Sequence, residues 1–460
     1  MSTDTARDTF RADLRGALIQ TGDPDYEPAR RLYNGMIDKH PRLIVRCGNV
    51  ADVIRAVHFA REQGLPLAVR CGGHSGAGLG SCDDGMVIDL SMLRGIRIDP
   101  AMRTARVEGG CTWGEVDHVT HAFGLATVSG IISTTGVGGL TLGGGHGHLS
   151  RQYGLTIDNL LEADLVLADG RFVTVSETQH PELFWAIRGG GGNFGVVTSF
   201  LFQLHPVSQV NAGPTLWELE HAGAVLRWYR NFITGAPESL NGFFAFLSVP
   251  PGPPFPEHLH NKQMCGIVWC HTGPEEEADR LLAAAVHEPA EPALHGVQPM
   301  PYPLLQSAFD DLYRPGLHWY WRGDFVTELS DAAIERHVEF AAVPTPLSTM
   351  HLYPVDGAVH RVGRKDTAFS YREAKWSEVI VGVDPDPANR DRIIRWTRNY
   401  WEALHPFSVG GAYVNFIMDD EGQERVRATY RDNYVRLARI KAEYDPDNLF
   451  RINHNIPPAG

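Results

Sequence analysis

Glycine placement constrains this chain more than any other feature. Forty-eight of its 460 residues are glycine, about a tenth of the chain against a usual share of roughly 7%. They concentrate in three runs within the first 200 residues: RCGGHSGAGLG (70–80), TTGVGGLTLGGGHGHLS (134–150) and RGGGGNFGVVT (188–198). One such cluster reads as tight turns or bulges. Three predict a large, flat, phosphorylated ligand, because successive amides without a Cβ form nests that cradle phosphate. Gly190, Gly192 and Gly195 satisfy G-x-G-x-x-G, but Val196, Val197, Thr198, Ser199 and Phe200 follow and read as a strand. A dinucleotide fingerprint must instead open a helix. No Walker A lysine motif is present, so the ligand is expected on loops and strands and not at a helix terminus.

The length admits two to four domains. Lys and Arg total 41 and Asp and Glu 55, a net charge of −14, which argues against nucleic-acid partners because phosphate contacts need clustered cations. No apolar run approaches a membrane span, and the polar start MSTDTARDTFRADLRG lacks an apolar signal core. The six cysteines, Cys47, Cys71, Cys82, Cys111, Cys265 and Cys270, are sparse for a disulfide framework. They predict reduced, buried thiols in a cytoplasmic protein. Residues 43–70 read as one βαβ unit, with Asn49 as helix N-cap and Gly64 as its stop. Residues 95–205 read as short strands, with Asp169-Gly170 a hairpin turn. Beyond 206, strands such as Phe243–Leu247 alternate with helical stretches such as Glu275–Ala285 and Ser330–Ala341. VPPGPPFPEH (249–258) reads as an exposed loop, and one amphipathic helix is predicted from Gln423 to Tyr444.

The three glycine runs in this order resemble the FAD-binding module of the vanillyl-alcohol-oxidase/PCMH superfamily. Tyr413-Val-Asn-Phe, Tyr444-Asp-Pro-Asp-Asn-Leu-Phe-Arg and Asn453-His-Asn-Ile-Pro-Pro resemble the berberine-bridge-enzyme tail. The resemblance implies an α+β fold: a PCMH-type FAD-binding domain of two α/β subdomains (1–205), a substrate domain with a large antiparallel sheet backed by helices (206–410), and a segment (411–460) returning to the FAD domain. It implies cofactor contacts from Arg70, Cys71, Gly72, Gly73, His74, Ser75 and Gly76, and from Thr135, Gly136, Gly139, Leu140, Gly144, Gly145 and Gly147. Gly192, Gly195, Val196, Val197, Tyr413, Asn415 and Asn453 complete that set. It also implies a covalent bond from His74 to the flavin 8α carbon. Many relatives add a cysteinyl link four residues before the first glycine of GVGG. Ile132 stands there, and Cys71 and Cys111 fall elsewhere, so attachment through one histidine is expected.

A flavin without a nicotinamide site implies hydride transfer from a small alcohol, amine or phenolic metabolite, with O2 reduced to hydrogen peroxide. A dehydrogenase of the same fold and a natural-product tailoring flavoenzyme are the alternatives. The step needs a base. Many relatives place a tyrosine at the end of Y-x-N-Y, where this chain has Phe416. The substitutes are Tyr371, expected on a strand facing the flavin, and Tyr320, with His318 a further candidate; Glu378, seven residues after Tyr371, is expected on the opposite strand face and is a poorer partner for it. Trp319, Trp321, Tyr371 and Phe416 are expected to form a slot for a planar substrate. His146 and His148 read as structural, with no metal site. Thr135 leaves room for oxygen beside the flavin. The oligomeric state is not legible.

Overall fold

The computed structural model describes residues 3–460. The first half of the chain builds two small sheets. One is four-stranded, in the order Ala17–Gln20, Leu43–Arg46, Met86–Asp89, Leu67–Arg70. Leu43–Arg46 and Leu67–Arg70 both run parallel to Met86–Asp89. The helix Val50–Glu62 joins Leu43–Arg46 to Leu67–Arg70, and Asn49 caps it by accepting from the Asp52 N–H at 3.1 Å. The helix covers Leu43, Val45, Met86 and Ile88 on one face, and Tyr26, Ala29 and Ile452 cover Ile44 and Val87 on the other, so these strands are buried on both. The second sheet is antiparallel and five-stranded, in the order Ile96–Asp99, Thr104–Glu108, Val196–Gln203, Leu160–Val166, Phe172–Ser176. Gly170, at φ +83°, makes the turn between its last two strands.

The third sheet is larger and antiparallel. Its order is Leu294–His295, Gln209–Glu218, Gln263–His271, Leu240–Ser248, Thr349–Pro354, Trp376–Asp384, His318–Val326, with Gln298–Pro301 also paired to Gln209–Glu218. Helices that include Ala222–Gly235, Asp331–Glu339 and Arg390–Leu404 back one face, and Trp217, Trp269 and Trp376 are wholly buried beneath them. Each such indole contributes about 3 kcal/mol by leaving water. The opposite face is free to look toward the small sheets. Strand alternation therefore sorts side chains: Trp319 and Trp321 point one way, and Tyr320, Arg322 and Asp324 the other.

Three expectations need correction. Tyr371 is not on a strand; residues 366–375 form turns and irregular chain before the strand Trp376–Asp384. The amphipathic stretch 423–444 is two helices, Gly422–Tyr430 and Asn433–Tyr444, broken where Arg431 adopts φ +47°. Periodicity runs through this break because each piece keeps its own apolar face. The second glycine run is also partly helical, over Val137–Gly143. Its glycines carry no side chains, so no helical period could show.

Candidate active site

A single cavity lies where the glycine runs, the free face of the large sheet and the C-terminal segment converge. Its floor starts at Arg70, the last residue of its strand. The guanidinium bonds to Asp89 on the neighbouring parallel strand, Nη2 to Oδ2 at 2.6 Å, and both side chains are almost fully buried. A buried charge is tolerable there because it is paired. Beyond it Gly73, at φ +70°, turns the chain back toward Leu32 and Tyr33, where its carbonyl accepts from the Tyr33 N–H at 3.2 Å. The first and second glycine runs touch backbone to backbone: a Cβ on Gly72 would stand 2.5 Å from the Gly136 nitrogen.

His74 faces the cavity from this junction. Its ring stacks on Tyr33 with centroids 3.8 Å apart. Nε2 lies 3.1 Å from the Thr134 hydroxyl and Nδ1 3.5 Å from that of Thr135. Burial lowers its pKa to about 4, so the imidazole is neutral at neutral pH, with a lone pair on one ring nitrogen. The thiol of Cys71 also lines the cavity, but burial pushes its pKa up to about 12, which keeps it protonated and unreactive. Ile132 borders the space; Cys111 does not.

The cavity fits the cofactor that the glycine runs imply. A Cβ on Gly139 or Gly192 would meet nothing within 4 Å, so both present bare backbone to open space. Several buried polar atoms of the lining have no partner within the described chain: Arg70 Nη1, both nitrogens of His146, Trp321 Nε1 and Asn453 Oδ1. Unsatisfied groups are costly to bury, and a ligand with phosphates and a polar ring system would satisfy them. Arg70 to Ser75, Thr135, Gly136, Gly139, Leu140, Gly192, Gly195, Val197, Tyr413, Asn415 and Asn453 all line it.

Five expected contacts do not line it. Gly76 is covered by the Trp321 ring, which a Cβ would meet at 2.2 Å. Gly144, Gly145 and Gly147 are there for tight packing: added Cβ atoms would strike Phe369, Thr156 and the Ser129 carbonyl. Val196 alternates with Val197 and enters the core between the two small sheets.

The C-terminal segment closes the cavity. The Tyr413 hydroxyl accepts from the Gly145 N–H at 3.0 Å and from Asn415 Nδ2 at 2.7 Å. Asn453 Nδ2 donates to the Gly192 carbonyl at 3.1 Å, and Asn193 Oδ1 accepts from the Ile456 N–H at 2.9 Å.

The expected bases are not in the cavity. Tyr320 lies on the helix-backed face of the large sheet. Its hydroxyl donates to Asp420 Oδ2 and accepts from Arg398 Nε, each at 2.8 Å. His318 and Glu378 share that face by register, and burial lifts the Glu378 carboxyl well above the usual range. Tyr371 packs on Phe325 beneath the Arg431 guanidinium, and its hydroxyl donates to the Ala428 carbonyl at 2.8 Å. Of the expected aromatic slot, Trp319, Trp321 and Phe416 line the cavity and Tyr371 does not. Sequence reasoning missed Tyr33, Tyr313, His351 and Tyr353, which do line it. A signal existed for the last two: TMHLYP (349–354) alternates polar and apolar residues, the period of a strand with two unlike faces. His146 also lines the cavity, between Tyr353 and Tyr413. Among the described residues no three metal-ligating side chains gather, and no helix is long and apolar enough to cross a membrane.

Comparison with known proteins agrees with this geometry. Residues 41–176 match the FAD binding domain family and residues 412–457 the family described as berberine and berberine like. An FAD-linked oxidoreductase of Dictyostelium discoideum is 31% identical over 98% of this chain and 96% of its own length. (R)-6-hydroxynicotine oxidase of Paenarthrobacter nicotinovorans is 29% identical over 97% of this chain and 98% of its own. The crystal structure of 6-hydroxy-D-nicotine oxidase from Arthrobacter nicotinovorans superposes with a TM-score of 0.86 at 26% identity, covering 97% of this chain and 99% of that one. A cavity walled by three glycine runs and closed by a berberine-like tail, on a chain matching such relatives over nearly its whole length, makes this protein a member of the berberine-bridge-enzyme-like FAD-linked oxidoreductases of the vanillyl-alcohol-oxidase/PCMH superfamily.

Proposed function

We propose that the protein is an oxidase that carries FAD on His74 alone and oxidises a small molecule at the expense of O2. The observation that carries this reading is His74 itself, a neutral imidazole facing the cavity between the Tyr33 ring and the hydroxyls of Thr134 and Thr135. The bound flavin would accept a hydride from the substrate and pass the electrons to dioxygen. Attachment replaces one 8α C–H and one imidazole N–H by a C–N bond, and the two electrons and two protons released leave on O2. Ile132 and the protonated Cys71 supply no second nucleophile. Residues 1–205 and 411–460 hold the dinucleotide in this reading, and residues 206–410 cover its reactive ring. Arg70, the amides around Gly139 and Gly192, Asn415 and Asn453 bind it. Thr135, small and at the cavity wall, leaves a path for oxygen. The six free thiols support a reducing, cytoplasmic setting.

Two measurements test the reading. Acid-denatured protein should retain yellow fluorescence that migrates with the chain, and His74→Ala should release it while the protein still folds. Photoreduced holoprotein mixed with aerated buffer should reoxidise within seconds. Reoxidation over many minutes would instead mark a dehydrogenase.

A further inference from the structure

One stretch of the cavity wall is held from outside the cavity. Residues 129–133 carry Gly130, Ile131 and Ile132 past it. At one end the Ser129 hydroxyl accepts from Gln306 Nε2, on the short helix Tyr302–Gln306. At the other, Asp310 accepts from the Ser133 N–H at 3.1 Å and from the Ser133 hydroxyl. The helix Trp113–His121 grips the same stretch, because its Trp113 and Gly114 N–H groups donate to the Thr135 and Ser133 carbonyls at 2.9 and 2.8 Å. Thr134 and Thr135, next along the chain, set their hydroxyls against His74.

Asp117, on that helix, lies where these holds meet. Its side chain is buried, and Gln306 Nε2 donates to its Oδ2 at 3.3 Å. Asp117 Oδ1 and Gln306 Oε1 are both buried and have no partner within the described chain. Two leftover acceptors beside one shared N–H are a proton short: a carboxylate only accepts, whereas a protonated carboxyl brings an O–H. Among the described residues no cation pairs with Asp117. The titratable groups packed against it are Tyr302 and, beside Tyr302, Cys270, both kept protonated by burial. On its own helix Glu115 bonds to Thr112 and Arg94, and His118 and His121 lend Asp117 no charge. Burial accordingly raises the Asp117 carboxyl to about 7.

We propose that Asp117 and Gln306 form a proton-held latch that positions the wall of the cavity. With its proton, Asp117 pairs with the Gln306 amide, O–H to Oε1 and N–H to Oδ2, and the 129–135 stretch is fixed against His74. When that proton leaves to solvent, a buried carboxylate faces the Oε1 lone pairs, the pair opens and the stretch shifts. Asp117 does not line the cavity; it is a positioning residue that acts through Gln306 and Ser129. The latch stands without the FAD-linked oxidase reading, and only its effect on the flavin rests on it. The native carboxyl keeps its proton up to about pH 7 and the unfolded one only to about 4. The latch therefore contributes fully below pH 4, and its contribution is lost as the pH rises to 7.

Asp117→Asn tests the latch, because its amide donates to Oε1 at every pH. Between pH 5 and 8 the thermal midpoint of the parent should fall by about 3 °C relative to that of Asp117→Asn, a comparison in which the buried histidines cancel. Tyr302→Phe should keep the pH dependence of the parent, since its hydroxyl makes no bond to Asp117. Infrared titration of the parent, which needs no variant, should show a carboxylic-acid carbonyl band lost near pH 7, and Asp117→Asn should lack that change. In the holoprotein the flavin absorbance maximum should move over the same pH range in the parent and stay fixed in Asp117→Asn. A midpoint difference that is constant with pH, or a parent without the titrating acid band, would overturn the latch. A flavin spectrum that moves equally in both proteins would overturn its hold on the wall. A colourless protein would instead fail the flavin reading, and the midpoints and the infrared band would still decide the latch.

Discussion

The buried ammonium of Lys441 donates to the carbonyl of Asn193 at 2.7 Å, fastening the helix Asn433–Tyr444 to the third glycine run. The same nitrogen donates to Asp445 Oδ2 at 2.6 Å and to the Phe450 carbonyl at 2.9 Å. Asp445 in turn accepts from the Leu449 and Phe450 N–H groups at 2.8 and 2.9 Å. One fully buried ion pair thus ties the tail to a wall of the cavity. Lys441→Met would leave the Asp445 carboxylate without a counter-charge, and a loss of about 3–5 kcal/mol in urea unfolding is expected. Flavin content should fall with it, because Asn193 borders the cavity. A loss below about 1 kcal/mol would mean that the chain relaxes to hydrate Asp445.

Glycine roles separate cleanly by what a methyl group would meet. Gly139→Ala and Gly192→Ala place a Cβ in open cavity, so the apoprotein should fold with an unchanged thermal midpoint and take up little FAD. Gly72→Ala drives a Cβ to 2.5 Å from the Gly136 backbone and should prevent soluble expression. The ratio of flavin to protein absorbance, read beside thermal unfolding, checks both. Full flavin loading in Gly139→Ala would place the cofactor elsewhere.

The buried histidines make stability depend on pH. Desolvation lowers His74 and His454 to about 4, and His146, His148, His337 and His351 to about 3. The unfolded chain protonates them near 6.5, so between about pH 6.5 and 4 it binds more protons than the native state. The contribution of these histidines is then complete above pH 6.5 and falls as the pH drops, by about 1.4 kcal/mol per pH unit for each imidazole within the window. Urea midpoints at a series of pH values between 4 and 8 should show a fall setting in below about 6.5. A flat profile would mean that these rings are hydrated.

How far the sequence could be read follows from what each feature encodes. The glycine runs were legible because a missing side chain marks close backbone approach, and the tail motifs were legible in their order. Which glycine faces the cavity was not: Gly139 and Gly145 look alike in sequence, and only the position of Thr156 separates an open site from a packed one. Tyr371 was assigned to a strand on local composition, whereas its place is set by Phe325, Arg431 and the Ala428 carbonyl, all distant in sequence. His351 and Tyr353 depended on strand register, which pairs His351 with Val379 and Ala245. Only the folded sheet fixes that pairing.

Tyr371 and Tyr320 supply the complementary prediction, that removing either hydroxyl changes stability and not the cavity. Tyr371→Phe removes the bond to the Ala428 carbonyl and should cost about 1 kcal/mol. Tyr320→Phe takes a shared partner from Asp420 and Arg398, which keep each other, so its cost should be no larger. Flavin content should stay within twofold of the parent in both, since neither ring borders the cavity. Urea unfolding and the ratio of flavin to protein absorbance, read on the same preparations, check this. A tenfold loss of flavin content in Tyr371→Phe at unchanged unfolding midpoint would return that residue to the site.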